Sequence, residues 1–294
     1  MSYLSHIQSC NVWDPDHFRP LRVDGATVGM LRHGFAEHLR RWPAVFEVQE
    51  QVVRLVPDLS GFEARTAALR QVLADLVQEG SVSHFHGEIY PMTPGTRDQA
   101  VCVIDRAAAP YFGTRAFGQH VNGFVRSRNG IKMWVARRAM DRRQFPGKLD
   151  NMTAGGLPQG IGLADNLAKE LWEEAGVTRE VAAGARPVGA LTYIREIGKG
   201  LKPDTIYCYD LELPEDFRPI CRDGEVEAFH LWPLQQVAEV VHESDEFKLN
   251  CNLVVIDFLI RHGFIGPEHE DYLALAQGLH PPLNHDRPRQ SEPV

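Results

Sequence analysis

No stretch of this 294-residue sequence stays apolar for the roughly 20 residues that a membrane-spanning helix needs, so no membrane partner is expected. The opening MSYLSHIQSCNVWDPDHF has neither the basic start nor the apolar centre of a secretory signal, which makes the cytoplasm the expected location. Cysteine is sparse. Cys10, Cys102, Cys208, Cys221 and Cys251 are odd in number, scattered and without a C-x-x-C pair, so a disulfide framework is excluded. Positive charge is not in excess: 31 Lys+Arg against 39 Asp+Glu leave a net charge of −8, a poor basis for binding nucleic acid. The nucleophile elbow G-x-S-x-G, the zinc motif H-E-x-x-H and the Walker A loop are all missing. What remains is an ordinary soluble composition, 44% hydrophobic and 24% charged, in a chain long enough for two domains.

The first third reads as α+β. Asp24-Gly25 lies between alternating apolar positions and predicts a hairpin turn. Phe35, Leu39 and Trp42 share one face of a short helix that Pro43 ends. Ser60 with Glu63 resembles a capping box, opening a helix through Phe62, Leu69, Val72, Leu73 and Leu76 that stops at Gly80. Residues 100–104 read as a buried strand, and a boundary falls within residues 107–113. Beyond it, residues 119–125, 131–136, 187–193 and 206–213 read as strands. Helices are expected over 164–175, 233–241 and 247–261. Residues 281–294 carry four prolines and read as a flexible tail.

One segment, residues 155–177, carries the chemistry. On a helix over 164–175, Glu170 lies three and four residues before Glu173 and Glu174, so the three carboxylates are neighbours. Such a cluster repels itself unless a cation sits in it. Mg²⁺ suits the place, because it takes oxygen ligands and shares its remaining positions with water and substrate phosphates. Leu167, Leu171 and Ala175 form the core-facing stripe of the same helix. Gly155-Gly156 permit unusual backbone angles and the close approach of a phosphate, and Gly176 is a left-handed helix cap. The bland alternative is a solvated acidic face; the glycines and the order Lys169-Glu170-x-x-Glu173-Glu174-x-Gly176 argue against it.

These residues resemble the Nudix box, G-x5-E-x7-R-E-U-x-E-E-x-G-U. The resemblance implies an α/β/α sandwich with a mixed sheet and hydrolysis of diphosphate linkages, with Mg²⁺ or Mn²⁺ held by Glu170, Glu173 and Glu174. Two features depart from the pattern. The interval from glycine to Lys169 is one residue short, and Ile161-Gly162 replace the early glutamate whose arginine partner is Lys169 here. Losing both members of an ion pair strands no charge. Residues 112–123, 145–150 and 210–215 look like a Nudix subfamily with an extra N-terminal domain, sometimes fused to thiamine pyrophosphokinase, and residues 24–46 are similar to that domain. The subfamily implies a finer substrate, oxidised thiamine diphosphate derivatives converted to the monophosphate.

The remaining candidates surround the box. Glu227, five residues before Trp232, matches a position where Nudix domains often place a further acidic residue, as metal ligand or to position water; an edge-strand charge is the alternative. Arg137 and Arg138, with Arg142, Arg143 and Lys148, offer cations for a diphosphate, as do Arg195 and Lys202 beside Lys199 in a glycine-containing loop. His84-x-His86 alternates as a metal pair would, without a third ligand nearby. The expected molecule is therefore α+β in class: an N-terminal α+β domain (1–110), a Nudix α/β/α domain (111–265) and an extension (266–294). It is a metal-dependent pyrophosphatase acting on a small-molecule diphosphate, with a homodimer left open. A nucleotide sugar, a dinucleotide or ADP-ribose as substrate, and a non-catalytic binding module, are the alternatives.

Overall fold

The computed structural model describes residues 2–283; the expected tail beyond 283 lies outside them. The first unit runs α1 (Tyr3–Cys10), β1 (Phe18–Val23), β2 (Ala26–Arg32), α2 (His33–His38), β3 (Phe46–Val48), β4 (Val53–Leu55), α3 (Phe62–Gln78), β5 (Ile89–Met92), β6 (Cys102–Asp105) and α4 (Ala109–Phe112). The second continues with β7 (Ala116–Ser127), β8 (Gly130–Arg138), β9 (Leu149–Asn151), β10 (Thr153–Gly156), α5 (Leu163–Ala175), α6 (Arg179–Ala182), β11 (Arg186–Ile197) and β12 (Gly200–Glu212). It closes with β13 (Val226–Pro233), α7 (Leu234–Glu243), α8 (Cys251–Arg261) and α9 (Tyr272–Gly278).

In the first unit the sheet order is β2-β1-β4-β3, with β5 and β6 forming a separate hairpin. The turn at Asp24-Gly25 joins β1 to β2 as the sequence predicts. The apolar stripe of α3, Leu69, Val72, Leu73 and Leu76, is fully buried with Leu21, Leu31, Val53 and Phe112. The capping box expected at Ser60 does not form: Gly61 is the cap of α3 and no side chain bonds its first turn. The 100–104 strand is present as β6, shifted by two residues, and pairs with β5.

The larger sheet is ordered β11-β12-β7-β8-β13, with β10 pairing β7 and β9 pairing β8. The β7–β12 pair is parallel and its other pairs are antiparallel, which makes the sheet mixed. Alternation along β7 sends Val121 and Val125 to one face and Phe124 to the other. The first face packs against Leu167, Leu171 and Ala175 of α5, and the second against α7 and α8. The result is an α/β/α sandwich. α1 belongs to the second layer: Tyr3, Ile7 and Cys10 share a core with Val254 and Leu275, and His6 Nε2 bonds Val241 O at 2.7 Å. Between the units Met30 and Phe18 meet Ile194 and Leu201.

Candidate active site on helix α5

α5 stands on the sheet because its apolar residues recur every four positions and its end is fixed. Gly176 adopts φ 66°, and the Val177 amide returns to Leu171 O at 3.0 Å, closing the helix as its sequence predicts. Two further bonds clip the helix to β10. Asn166 Nδ2 donates to Gly156 O at 2.9 Å, and the Ala154 amide donates to Glu174 Oε2 at 2.9 Å.

These clips define what the two box glycines do. They lie in a regular strand paired with Gly118 and Gln119, and neither has the left-handed backbone that the sequence reading allowed them. What they supply is room. A β-carbon on Gly155 would lie 2.4 Å from the Glu170 carboxylate, and one on Gly156 would lie 2.6 Å from Tyr90 Oη and 3.0 Å from Arg106 Nη1. The strand is thus pressed between a box glutamate and the N-terminal unit.

The carboxylates differ in surroundings. Glu174 is 7% exposed, and burial pushes its pKa up to about 8 against the single amide bond from Ala154; Asp150, Glu170 and Glu225 add to the rise. Burial likewise raises Glu170, with Lys169 opposing and Glu173 and Glu88 reinforcing. Lys169 Nζ reaches Glu170 at 3.2 Å and Glu173 at 2.7 Å. Burial works against the Lys169 charge, but these two carboxylates outweigh it and raise its pKa. Three carboxylates against one ammonium leave this face short of positive charge, with its most buried member, Glu174, touching no cation of the described residues. A hard divalent cation with oxygen ligands fits that deficit.

The sequence-predicted cations do not converge here. Arg137 bonds Gly147 O, Arg138 bonds Asp150 at 2.9 Å, and Lys148 bonds Asp245. Arg195 and Lys202 pair across the β11–β12 hairpin, and their charges reach Cys10 in the layer opposite α5. Glu227 occupies a bulge of β13 between Val226 and Ala228 and is exposed. Its neighbour Glu225, held by Arg142 at 2.7 Å, is the residue whose charge reaches Glu174. The His84 ring meets Ser83 and Arg143 and the His86 ring lies 3.8 Å from Glu88, so the two imidazoles go to separate partners.

Sequence reading missed the N-terminal contribution. Arg97 donates to Pro158 O and to Ile161 O, the latter at 3.0 Å, and the Gln159 amide bonds Ile89 O at 2.8 Å. The shortened loop before α5 is therefore held from outside the box, in place of the missing glutamate pair. Arg106, Glu88 and Tyr90 flank Gly156. No spacing rule links residues 60 positions apart, so these contacts had no local signal to be read from.

A second buried cluster lies on the other face of β7. His120, Asp150 and Cys251 offer ligand atoms within 4.8 Å of one another. Asp150, though, is already met by Arg138 at 2.9 Å and Lys248 at 3.2 Å, and the Cys251 thiol donates to it at 2.7 Å. Burial alone would raise Asp150, but Lys248, His120 and Arg138 overcome it and hold its pKa below the usual range. Burial, then Lys248, pushes His120 down to about 4, so it is neutral near pH 7.

Comparison with known proteins follows this division of the chain. A family model described as NUDIX domain matches residues 117–251, and one described as Domain of unknown function (DUF4743) matches residues 2–116. Nudix hydrolase 20, chloroplastic, of Arabidopsis thaliana is 42% identical over 272 residues, spanning 89% of this chain and 72% of the relative. The chain belongs to the Nudix hydrolases. Nudix hydrolase 24, chloroplastic, of the same plant is 40% identical over 282 residues, covering 94% of this chain and 77% of the relative. Among solved structures, DR0079 of Deinococcus radiodurans is similar at a TM-score of 0.44 and 20% identity, over 57% of this chain and 97% of that one. This Nudix protein is accordingly an enzyme, a hydrolase of the pyrophosphatase type, in a family generally dependent on a divalent metal. The cytoplasmic expectation is corrected: both plant relatives are chloroplastic by name. No helix of the described residues is long and apolar enough to cross a membrane.

Proposed function

We propose that Glu170, Glu173 and Glu174 hold Mg²⁺ or Mn²⁺, and that the chain hydrolyses the diphosphate of oxidised thiamine diphosphate derivatives to the monophosphate. The observation that carries the chemistry is the buried Glu174, which meets no cation of the described residues, beside the half-buried Glu170, which shares the single Lys169 ammonium with Glu173 on the same helix face. The organic half of the substrate rests on the resemblance of residues 112–123, 145–150 and 210–215, together with the N-terminal segment, to the thiamine-linked subfamily. In this reading residues 1–110, apart from α1, shape the substrate end of the site and residues 111–265 carry the catalytic end.

A bound divalent cation neutralises phosphate charge and lowers the pKa of water. The chain's own residues do the rest. Asn166 and the Ala154 amide fix α5 against β10, so the carboxylates keep their spacing when the substrate enters. Gly155 and Gly156 keep the strand bare, which lets the Glu170 carboxylate and, from the N-terminal unit, Tyr90 and Arg106 lie against its backbone. A carboxylate that the metal does not saturate takes the proton from the attacking water, while the bridging P–O bond breaks and the other phosphate leaves. Glu170, whose pKa is raised, and Glu227 are the two candidates for that base.

The test is a panel: thiamine diphosphate, its oxidised derivatives, ADP-ribose, a dinucleotide and a nucleoside triphosphate, each with Mg²⁺. Selective release of thiamine-type monophosphates supports the reading. Preference for a nucleotide keeps the chemistry and discards the thiamine link. In Glu170→Gln or Glu227→Gln, loss of the acidic limb of the pH–rate profile identifies the base.

A further inference from the structure

A diphosphate brought to three carboxylates needs a cation of its own, and the basic residues expected from the sequence to supply it are committed elsewhere. Arg137, Arg138 and Lys148 answer loop carbonyls and acids of the β8–α8 side. Arg195 and Lys202 face the layer of α1. Arg97 is spent on the loop carbonyls of Pro158 and Ile161, Arg179 on Asp165, and Arg222 stacks on the Trp172 ring, whereas the Arg106 guanidinium, from the other half of the chain, lies against Gly156 of the box.

We propose that Arg106, delivered by the N-terminal unit to the edge of β10, is the diphosphate-binding cation of this active site, with Glu88 as the partner it exchanges for substrate. The proposal rests on the reading of α5 as the catalytic helix. Four observations support it. A β-carbon on Gly156 would sit 3.0 Å from Arg106 Nη1 and one on Gly155 2.4 Å from the Glu170 carboxylate, so only the bare backbone of β10 lies between the guanidinium and a box glutamate. The side chain is 38% exposed and meets one carboxylate, Glu88, through Nη1 at 2.7 Å. Its remaining nitrogens have no side-chain hydrogen bond to described residues, which leaves donors for a phosphate that binds arginine two bonds at a time. The head lies over the Tyr90 ring, 5.5 Å from its centre, and the buried Tyr90 holds the orientation without consuming a donor.

Charge agrees with the geometry. Burial opposes the Arg106 charge, yet Tyr90, Glu88 and Glu170 together raise its pKa, so the guanidinium lies within the field of a box glutamate. Glu88 in turn acts on Glu170. Glu88 satisfies the guanidinium while no substrate is present, and exposure of 36% lets it turn to water when the phosphate displaces it.

The test measures binding without requiring turnover. Inorganic pyrophosphate with Mg²⁺ is titrated calorimetrically into the full chain and into Arg106→Ala, Arg106→Lys, Glu88→Gln and Glu174→Gln. Arg106→Ala is expected to weaken pyrophosphate about ten- to a hundredfold, the worth of a charge-assisted contact. Arg106→Lys restores part of the affinity, and Glu88→Gln, which frees the guanidinium, tightens binding. With any turned-over diphosphate, Arg106→Ala raises KM by a similar factor and moves kcat much less, the pattern of a group that binds ground and transition states alike. Should Arg106→Ala fold poorly, Arg106→Gln gives the same comparison, with melting as the control. A merely structural Arg106 would lower melting in these variants with KM and Kd unmoved. Unchanged pyrophosphate affinity in Arg106→Ala, or no binding by the wild type, overturns the proposal. Full turnover in Glu174→Gln overturns the catalytic reading of α5 instead, so the two failures are distinguishable.

Discussion

Two buried carboxylates on opposite faces of the same sheet have opposite fates. Asp150 is 3% exposed and Glu174 is 7% exposed, so both have lost their water. Asp150 is surrounded by Arg138, Lys248 and the Cys251 thiol, and its pKa falls below the usual range although burial alone would raise it. Glu174 has one backbone amide, and burial pushes it up to about 8. On the function proposed above, the difference separates a structural acid from a metal ligand. A buried acid that the chain itself neutralises holds β8, β9 and α8 together; a buried acid that the chain leaves short of cations is a place for an ion from outside. The ligand types at His120, Asp150 and Cys251 look more like a metal set than three glutamates do, yet their positive charge is already supplied.

The largest effect expected from breaking this contrast is on stability. Asp150→Asn strands Arg138 and Lys248 beside each other in a dry site and should cost about 3–5 kcal/mol, measured by urea unfolding. A loss below about 1 kcal/mol would mean that water reaches the cluster and the comparison is misdrawn.

Next comes the metal itself. Saturating Mg²⁺ should stabilise the wild type by about 3 kcal/mol at a hundred times its Kd, and should do nothing for Glu174→Gln. Because a carboxylate must lose its proton to bind metal, the gain in melting temperature should be larger at pH 8.5 than at pH 6. Equal gains in wild type and variant would place the ion elsewhere.

The smallest effect has the opposite sign from the first. An acid whose pKa is raised on folding contributes fully below its unfolded value, 4.5, and that contribution is lost as pH rises through about 8. Without metal, Glu174→Gln should therefore be more stable than wild type at pH 8 by roughly 1–2 kcal/mol, the difference vanishing near pH 4.5. Destabilisation at pH 8 would show that Glu174 is a structural acid like Asp150.

What was legible in advance follows from how local each signal is. α5 could be read residue by residue, since Leu167, Leu171 and Ala175 recur at helical spacing and Gly176 ends the run. The mixed sheet and the flanking helices α7 and α8 were also recognisable, because apolar alternation and periodicity lie within each element. β10 was not: Thr-Ala-Gly-Gly has poor strand propensity and is a strand only because β7 offers it an edge. α1 was missed because its buried face finds its partners, α8 and α9, more than 240 residues away. The cations were misplaced for the same reason. A run such as Arg137 to Lys148 announces charge but not partner, and its partners, Asp150, Asp245 and Gly147 O, become neighbours only in the fold. Nothing local marks Arg97 and Arg106 as neighbours of residues 155–162; they come to lie there because the N-terminal unit docks on the loop before α5.

The most direct measurement is Mg²⁺-dependent turnover of the diphosphate panel by wild type and Glu174→Gln side by side, with circular dichroism and melting to confirm that both are folded. The account predicts release of a monophosphate by the wild type and a fall in kcat of two or more orders of magnitude, roughly, in the variant. Near-normal turnover by a well-folded Glu174→Gln would contradict it, and the uncompensated carboxylate on α5 would have to be explained without a metal.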